Sequence, residues 1–161
     1  MDRIRAQLCD CVADVSIWCA SRRLQLNAAK TELIWFSSRA NLAKISNYDL
    51  SITADNETIS PVSVVRDLGV MLDGELNMMH HIGVVTRACF HQIRRLRQIR
   101  RRVGQDITEK LVLALTIPRL DYCNSVLAGL PAVTTEPLQR VQNAAARLIF
   151  ISGHVTMSLI V

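Results

Sequence analysis

The residues of this sequence best suited to chemistry are seven arginines within a stretch of seventeen residues, TRACFHQIRRLRQIRRR. They are Arg87, Arg94, Arg95, Arg97, Arg100, Arg101 and Arg102. No acidic residue lies between Glu75 and Asp106, and the net charge of the chain, +5, is smaller than the charge of these seven residues alone. Guanidinium groups bind phosphate oxygens through paired hydrogen bonds, so this concentration of arginine indicates a partner that carries phosphates.

The apolar residues around the arginines predict the element that presents them. They recur at steps of three and four, as on one face of an α-helix, at Ile82, Val85, Cys89, Ile93, Leu96, Ile99 and Val103. Arg87, Arg94 and Arg101 are seven positions apart and form one column on such a helix, beside Arg95 and Arg102. We expect the apolar side to face a core and the arginines to face water. The alternative is a solubilising face, but such faces usually mix acidic and basic residues in i,i+4 pairs.

The remaining residues that could bind a metal or a cofactor form no convincing set. Asp10 and Asp14 share a helix face and could hold a metal, although solvated carboxylates are the commoner case. His80 and His81 are expected to be exposed rather than metal-bound. Cysteine occurs without a CxxC pair, at Cys9, Cys11, Cys19, Cys89 and Cys123. We therefore expect reduced thiols in an intracellular protein of the nucleus or cytoplasm, with no metal site and no small-molecule cofactor.

The composition predicts a helix-rich protein outside the membrane. Half of the 161 residues are hydrophobic, while glycine occurs six times and proline four times. No apolar run approaches the roughly twenty residues that a membrane span needs, and the first residues do not form a signal peptide.

The first part of the chain is predicted to combine one helix with short strands. The helix covers residues 1–22, with an apolar face made of Ile4, Leu8, Cys11, Val15 and Trp18. Residues 24–26 and 31–36 are predicted strands joined by a turn at 27–30, and residues 37–49 are a predicted loop. Two further strands, 50–54 and 57–60, are joined by a turn at Asp55-Asn56. A last strand covers 62–73, with Gly69 inside it marking a bulge or a close backbone approach.

The second part is predicted to contain three helices. The first covers 77–102, and Asp106 with Glu109 forms a capping-box signature for the second, which Pro118 should interrupt before its end near 129–131. Thr134 or Thr135 would cap the third. The inner face of the second helix is predicted as Ile107, Leu111, Leu115 and Leu120, and that of the third as Leu138, Val141, Ala145, Leu148 and Ile149. The predicted class is α+β: a helix with small antiparallel hairpins over 1–76, a three-helix bundle over 77–150, and an irregular tail over 151–161.

Four stretches, in this order, resemble one protein family: LQLNAAKTELIWF, VRDLGVMLD, IPRLDYCNSVLAGLP and LQRVQNAAARLI. The chain resembles the C-terminal part of the reverse transcriptase of non-LTR (LINE-type, jockey-like) retrotransposons over about residues 8–150. The resemblance implies that residues 1–76 are the end of a polymerase palm, with motif D and a primer-grip-like motif E. It implies that residues 77–150 are a helical thumb.

The resemblance also implies roles for individual residues. Lys30 matches the lysine of motif D, a candidate proton donor to the leaving pyrophosphate, although an ordinary turn lysine is the alternative. Gly69 falls in the primer grip, where a hairpin would present its backbone to the primer. The thumb arginines that would contact a template–primer duplex of RNA and DNA are Arg87, Arg94, Arg95, Arg97, Arg101 and Arg102.

The sequence departs from the family where catalysis is concerned. The FADD- or YADD-type turn and the earlier strand that carry the aspartates for two Mg²⁺ ions are not in it, and Asp67, Asp73 and Asp121 do not replace them. We therefore expect a fragment, cut at both ends, of an RNA-directed DNA polymerase, a nucleotidyltransferase. It would bind template–primer and be inactive on its own, with no cofactor.

Two other interpretations remain open. The chain could be a small helical protein–protein interaction module, or a non-functional remnant of a mobile element. For the interaction module, the apolar palm surface that the rest of a polymerase would otherwise cover is expected to be exposed and to support self-association.

Overall fold

The computed structural model of the chain describes residues 2–27, 30–54 and 57–150, without the side chains of Asp2 and Ala54. The architecture is α+β, with long helices and two small antiparallel hairpins, as the sequence predicts at that level. Two compact units divide between Leu76 and Asn77. Each is considered by itself.

The first unit opens with α1, Asp2–Ser21, the helix predicted over 1–22. The predicted packing face of α1 is wrong except at Leu8. Leu8, Cys9 and Val12 pack against a small cluster of buried side chains, whereas most of the predicted face is exposed. The buried cluster consists of Leu33, Ile52 and Ile59. At 100° per residue, the packed side lies about 100° around the helix from the predicted apolar column.

Arg5 adds polar contacts on the packed side of α1. Its Nε donates a hydrogen bond to the Ser51 carbonyl oxygen at 3.0 Å, and a terminal nitrogen lies 3.4 Å from Asp49. Asp49 in turn accepts hydrogen bonds from the Ser51 hydroxyl and N–H, which together with Arg5 hold the pKa of that carboxyl below its usual range. These polar contacts tie the start of α1 to the segment that enters the first hairpin.

The strands predicted at 24–26 and 31–36 are not formed within the described residues. The only pairing there is an isolated parallel bridge between Leu33 and Pro61, with the Val62 N–H donating to the Leu33 carbonyl at 2.8 Å. Proline has no N–H, so the ladder cannot extend through Pro61. The predicted loop at 37–49 is also wrong, because it contains α2, Arg39–Ile45, whose first amides donate to the Ser38 carbonyl.

The predicted hairpin after α2 is confirmed. Strands β1, Ile52–Ala54, and β2, Glu57–Ile59, pair in antiparallel fashion from Ile52 opposite Ile59 to Ala54 opposite Glu57. This register leaves a two-residue connection at the predicted turn, Asp55-Asn56, which itself lies outside the described residues.

Residues 62–73, which the residue pattern predicts as a single strand, form a second hairpin, as the resemblance implies for this stretch. Strands β3, Val64–Asp67, and β4, Val70–Asp73, pair with Asp67 opposite Val70. The two connecting residues, Leu68 and Gly69, have φ angles of 44° and 91°. Positive φ at both central positions is the pattern of a type I′ turn, which matches the right-handed twist of the flanking strands. Gly69 therefore marks a turn and not a bulge.

The second unit is helical. It contains α3, Met79–Leu115, α4, Ile117–Asp121, a 3₁₀ turn at Asn124–Leu127, and α5, Ala132–Phe150. Gly104 interrupts α3 with a non-helical φ of 78° and ψ of 179°. The predicted capping box is wrong, since the break lies two residues before Asp106 and the Asp106 carboxylate bonds Lys110 at 3.0 Å.

The later helix boundaries also differ in part from the prediction. The interruption near Pro118 is confirmed, because α3 ends at Leu115 and the proline lies in the first turn of α4. Helix structure then stops at Asp121 and not near 129–131. The start of α5 precedes both predicted threonine caps, and the Thr134 amide donates to the Pro131 carbonyl at 2.8 Å.

The core of the second unit lies where α3 packs on α5 and on α4. All five predicted inner residues of α5 are buried, as are Ile82, Cys89, Ile93 and Leu96 of α3. After Gly104 the buried stripe is shifted by one residue from the prediction. Thr108, Val112 and Thr116 are inside, while Ile107 and Leu115 are exposed. The last predicted residue, Leu120 of α4, is buried as predicted. Because two of the buried residues are threonines, apolar periodicity alone misplaces the buried stripe after Gly104.

The predicted tail, 151–161, lies outside the described residues. Among the helices that the structure describes, none is both long and apolar enough to cross a membrane.

The β3–β4 turn yields a stability prediction. Leu68 adopts a left-handed conformation that costs an ordinary L-residue about 1–2 kcal/mol, and its side chain is 84% exposed. Leu68→Asn creates the Asn-Gly pair favoured in type I′ turns and should raise the free energy of unfolding by about 1 kcal/mol. Urea denaturation measures it, with Leu72→Asn on the neighbouring strand as the destabilising control. A Leu68→Asn variant less stable than the parent would contradict the turn geometry.

Candidate nucleic-acid interface

Six of the seven arginines have exposed side chains on α3, and these are the six that the sequence nominates for phosphate contact. They are Arg87, Arg94, Arg95, Arg97, Arg101 and Arg102. All precede the break at Gly104, so they belong to one continuous length of helix. We call this set the arginine face.

The arginine face is broad and long. At 100° per residue its members cover a sector of about 160°, from Arg97 on one side to Arg95 on the other. At 1.5 Å per residue, Arg87 and Arg102 are about 22 Å apart along the axis. The buried stripe of Ile82, Cys89 and Ile93 occupies the opposite side of the helix, so core packing orients the whole face outward.

No member of the arginine face forms an ion pair within residues 2–27, 30–54 and 57–150. The side-chain ion pairs of the second unit lie elsewhere, between Lys110 and Asp106 and between Arg140 and Glu136. The donors of the face are therefore not used by acidic neighbours in this part of the chain. Like charges at i,i+4 and i,i+7 repel one another, and an anionic ligand would relieve that repulsion.

Arg100, the seventh arginine, has a different role. It lies seven residues after Ile93 and four after Leu96, on the buried stripe and not on the face. Its terminal nitrogen donates to the Ile149 carbonyl at 3.2 Å, next to the last residue of α5, while its Nε is buried without a hydrogen-bond partner. This hydrogen bond joins α3 to the last described turn of α5.

The other two nominated residues lie in the first unit. Lys30 is exposed, and its N–H donates to the Asn27 carbonyl at 3.0 Å, as in the turn predicted at 27–30. Gly69 is exposed at the tip of the β3–β4 hairpin, where its φ of 91° gives a structural reason for glycine. The roles that the resemblance implies for both residues stay predictions.

The prediction that His81 is exposed is wrong. His80 is exposed, but His81 is buried within the first turn of α3, and burial lowers the pKa of its imidazole below the usual value. Cys89 is fully buried, and burial raises the pKa of its thiol, an effect that the nearby Arg119 partly offsets. Both residues belong to the core of the second unit and not to a reactive site.

The described residues contain no group of three His, Cys, Asp or Glu side chains placed to hold a metal ion. Asp67 and Asp73 lie at opposite ends of the β3–β4 hairpin, because Asp67 is opposite Val70 and Asp73 is opposite Val64. Asp10 and Asp14 are both exposed on α1. Comparison of the chain with protein-family models, with curated proteins and with solved structures gives no match.

Substitution of Arg100 and substitution of Arg101, a member of the arginine face, should have different effects on stability and on nucleic-acid binding. Arg100→Gln should lower the free energy of unfolding by about 1–2 kcal/mol, because the Ile149 carbonyl loses a charged donor. Arg101→Gln should change stability by less than about 0.5 kcal/mol and reduce the salt dependence of nucleic-acid binding by about one unit of log–log slope. Urea denaturation and fluorescence anisotropy measure these quantities. Equal effects of both variants on both quantities would contradict the assignment.

Burial of His81 makes stability depend on pH. Because burial lowers the folded pKa of His81 below its usual value of 6.5, the unfolded chain binds a proton at this residue more readily than the folded chain does. Stability should therefore fall as pH decreases below 6.5, by at most about 1.36 kcal/mol per pH unit from this group.

The measurement is the urea midpoint at pH 7.5 and at pH 5.5. His81→Gln should flatten the dependence between these values, and the exposed His80→Gln should leave it unchanged. If the parent and His81→Gln lose the same stability over this range, the assignment to His81 fails.

Proposed function

We propose that the chain binds a template–primer duplex of RNA and DNA through the arginine face, as the thumb of a non-LTR retrotransposon reverse transcriptase. The observation that carries the proposal is the arrangement of six exposed arginines on one helix, without acidic partners in the described part of the chain. The resemblance of the four sequence stretches supplies the polymerase context.

The dimensions of the arginine face suit a nucleic-acid backbone. Phosphates follow one another about every 3.4 Å along a strand of duplex DNA, so a face about 22 Å long spans about six of them. Each guanidinium can hold two phosphate oxygens. None of these contacts reads a base edge, so binding would depend on charge and backbone shape and have little sequence preference.

The chain would contribute binding and not the chemical step. Nucleotide addition requires two divalent metal ions held by close carboxylates, and Asp67 and Asp73 lie at opposite ends of their hairpin. In the parent enzyme the metal would be Mg²⁺. Lys30 would act near the leaving pyrophosphate, and the backbone at Gly69 would lie near the primer end, if the palm-like unit meets a catalytic centre.

The test compares two variants that remove the same charge. Arg94, Arg95, Arg101 and Arg102, all changed to Gln, should raise the dissociation constant for a labelled RNA–DNA hybrid by at least about tenfold at low salt. The matched control changes four exposed cations outside α3, Arg3, Arg22, Arg39 and Lys44, to Gln, and should raise it less than about threefold. Circular dichroism verifies that both variants are folded. Equal weakening in the two variants would contradict the assignment to α3.

A second candidate function, a protein–protein interaction module, is favoured by one observation. Ile4, Val15 and Trp18 of α1 are apolar and about half exposed, which is unusual for one face of a single helix. The same titration separates the two candidates when it is combined with a sizing column. Salt-sensitive binding by a small species supports the duplex-binding function, and a large oligomer that ignores nucleic acid supports the module. A monomer without binding supports a non-functional remnant.

A further inference from the structure

We infer that His91 is a proton-dependent phosphate contact within the arginine face, so that binding to a nucleic-acid backbone takes up a proton and tightens as pH falls. The inference rests on the proposed binding function and adds a regulation that arginine alone does not give, because guanidinium groups stay charged throughout the physiological pH range. Histidine is the side chain whose charge ordinarily changes between about pH 5 and 8.

His91 lies among three members of the arginine face. It is exposed on α3, with Arg87 four residues before it, Arg94 three residues after it and Arg95 four residues after it. Residues three and four apart are neighbours on a helix, with about 5–6 Å between their Cβ atoms. The imidazole is therefore within reach of a phosphate that these guanidinium groups hold.

The other helices of the second unit do not face His91. Both α4 and α5 pack on the buried side of α3, which carries Ile82, Cys89 and Ile93. At 100° per residue, His91 lies about 160–180° around the helix from these three residues. The charged groups that face it in this unit are therefore those of its own helix.

Among the described residues of the second unit, the charged side chains outside the arginine stretch lie away from His91. Asp106, Glu109 and Lys110 follow the break at Gly104. The remainder belong to the two helices on the opposite side of α3: Arg119, Asp121, Glu136, Arg140 and Arg147. In this part of the chain the neighbours of His91 are thus cationic, and none is a carboxylate.

A proton on His91 has opposite effects on the free and on the ligand-bound face. Without a ligand, the imidazolium adds a positive charge beside three others and increases their mutual repulsion. With phosphates bound, the same charge lies beside anions and can donate a charge-assisted hydrogen bond to them. Phosphate binding therefore favours the protonated form, and by reciprocity protonation favours phosphate binding.

The expected effect is an affinity that rises as the solution becomes more acidic. Between pH 8.0 and pH 6.0 the dissociation constant for an RNA–DNA hybrid should fall by about threefold to tenfold, because one proton changes affinity by at most about tenfold per pH unit. The log–log salt slope should become steeper by up to about 0.9 at pH 6.0, since one more phosphate is neutralised.

The test measures binding of a labelled RNA–DNA hybrid by fluorescence anisotropy at pH 6.0, 7.0 and 8.0 and constant ionic strength. His91→Gln should bind with the same, weaker affinity at all three pH values. His91→Arg carries a permanent charge, so it should bind at pH 8.0 at least as tightly as the parent binds at pH 6.0, again without pH dependence. A merely structural role of His91 would not make Gln and Arg act in opposite directions at pH 8.0.

His80→Gln is the control. His80 is exposed on the same helix but precedes Arg87 by seven residues, about 10 Å along the axis, and no arginine lies within four residues of it. This variant should keep the pH dependence of the parent. Circular dichroism at each pH verifies that every variant is folded, because burial of His81 is expected to lower stability in acid.

Three outcomes would overturn the inference and leave the proposed function in place. They are salt-sensitive binding with equal affinity at pH 6.0 and pH 8.0, a pH dependence that His91→Gln retains, and a pH dependence that His80→Gln abolishes as fully as His91→Gln. If the parent does not bind the hybrid, or if its binding ignores salt, the proposed function and the inference fail together.

Discussion

The packing of α3 against α5 is the constraint on which the second unit depends. It commits one side of α3 to the core, and every arginine outside that side is turned toward solvent. The one arginine inside it, Arg100, is held by the Ile149 carbonyl near the end of α5. The packing of α3 against α5 therefore stabilises the helical unit and also determines which arginines are exposed. The arginines lie on one side of α3 because core packing occupies the other side, and no further interaction is needed to place them there.

The sequence predicts this unit well where one periodicity is sustained. The stripe from Ile82 to Leu96 is apolar at every step, and the helix and its exposed face follow directly. After Gly104 the prediction misplaces the core by one residue, because Thr108 and Thr116 are buried and apolar Ile107 is exposed. The Thr108 hydroxyl donates to the Gly104 carbonyl at 2.6 Å, which offsets part of the cost of burying it. Pattern reading cannot anticipate such a local bond.

The first unit is harder to predict, for physical reasons that particular residues illustrate. The apolar column of α1 correctly indicates a helix but not its inner side, because that side packs on Leu33, Ile52 and Ile59, which are distant in the sequence. Within the described residues, the strand-forming segment 31–36 makes a single β-bridge, between Leu33 and Pro61, and one bridge is not a ladder that stabilises a strand. The residue pattern indicates only a glycine irregularity at Leu68-Gly69, since leucine is disfavoured at positive φ, and the hairpin there is implied by the resemblance alone. Of the candidate site, the positions on α3 follow from sequence, whereas the distinct place of Arg100 required the contact with α5.

The central claim is that the exposed arginines of α3 displace ions from a nucleic-acid backbone, and the salt dependence of binding tests it most directly. The affinity of the purified chain for an RNA–DNA hybrid should fall with salt on a log–log plot with a slope of about −3.6, as expected if about four phosphates are neutralised. The slope should become much shallower when Arg94, Arg95, Arg101 and Arg102 are changed to Gln, because only Arg87 and Arg97 of the arginine face then remain. Binding that does not respond to salt, or a slope that survives this change, would contradict the account.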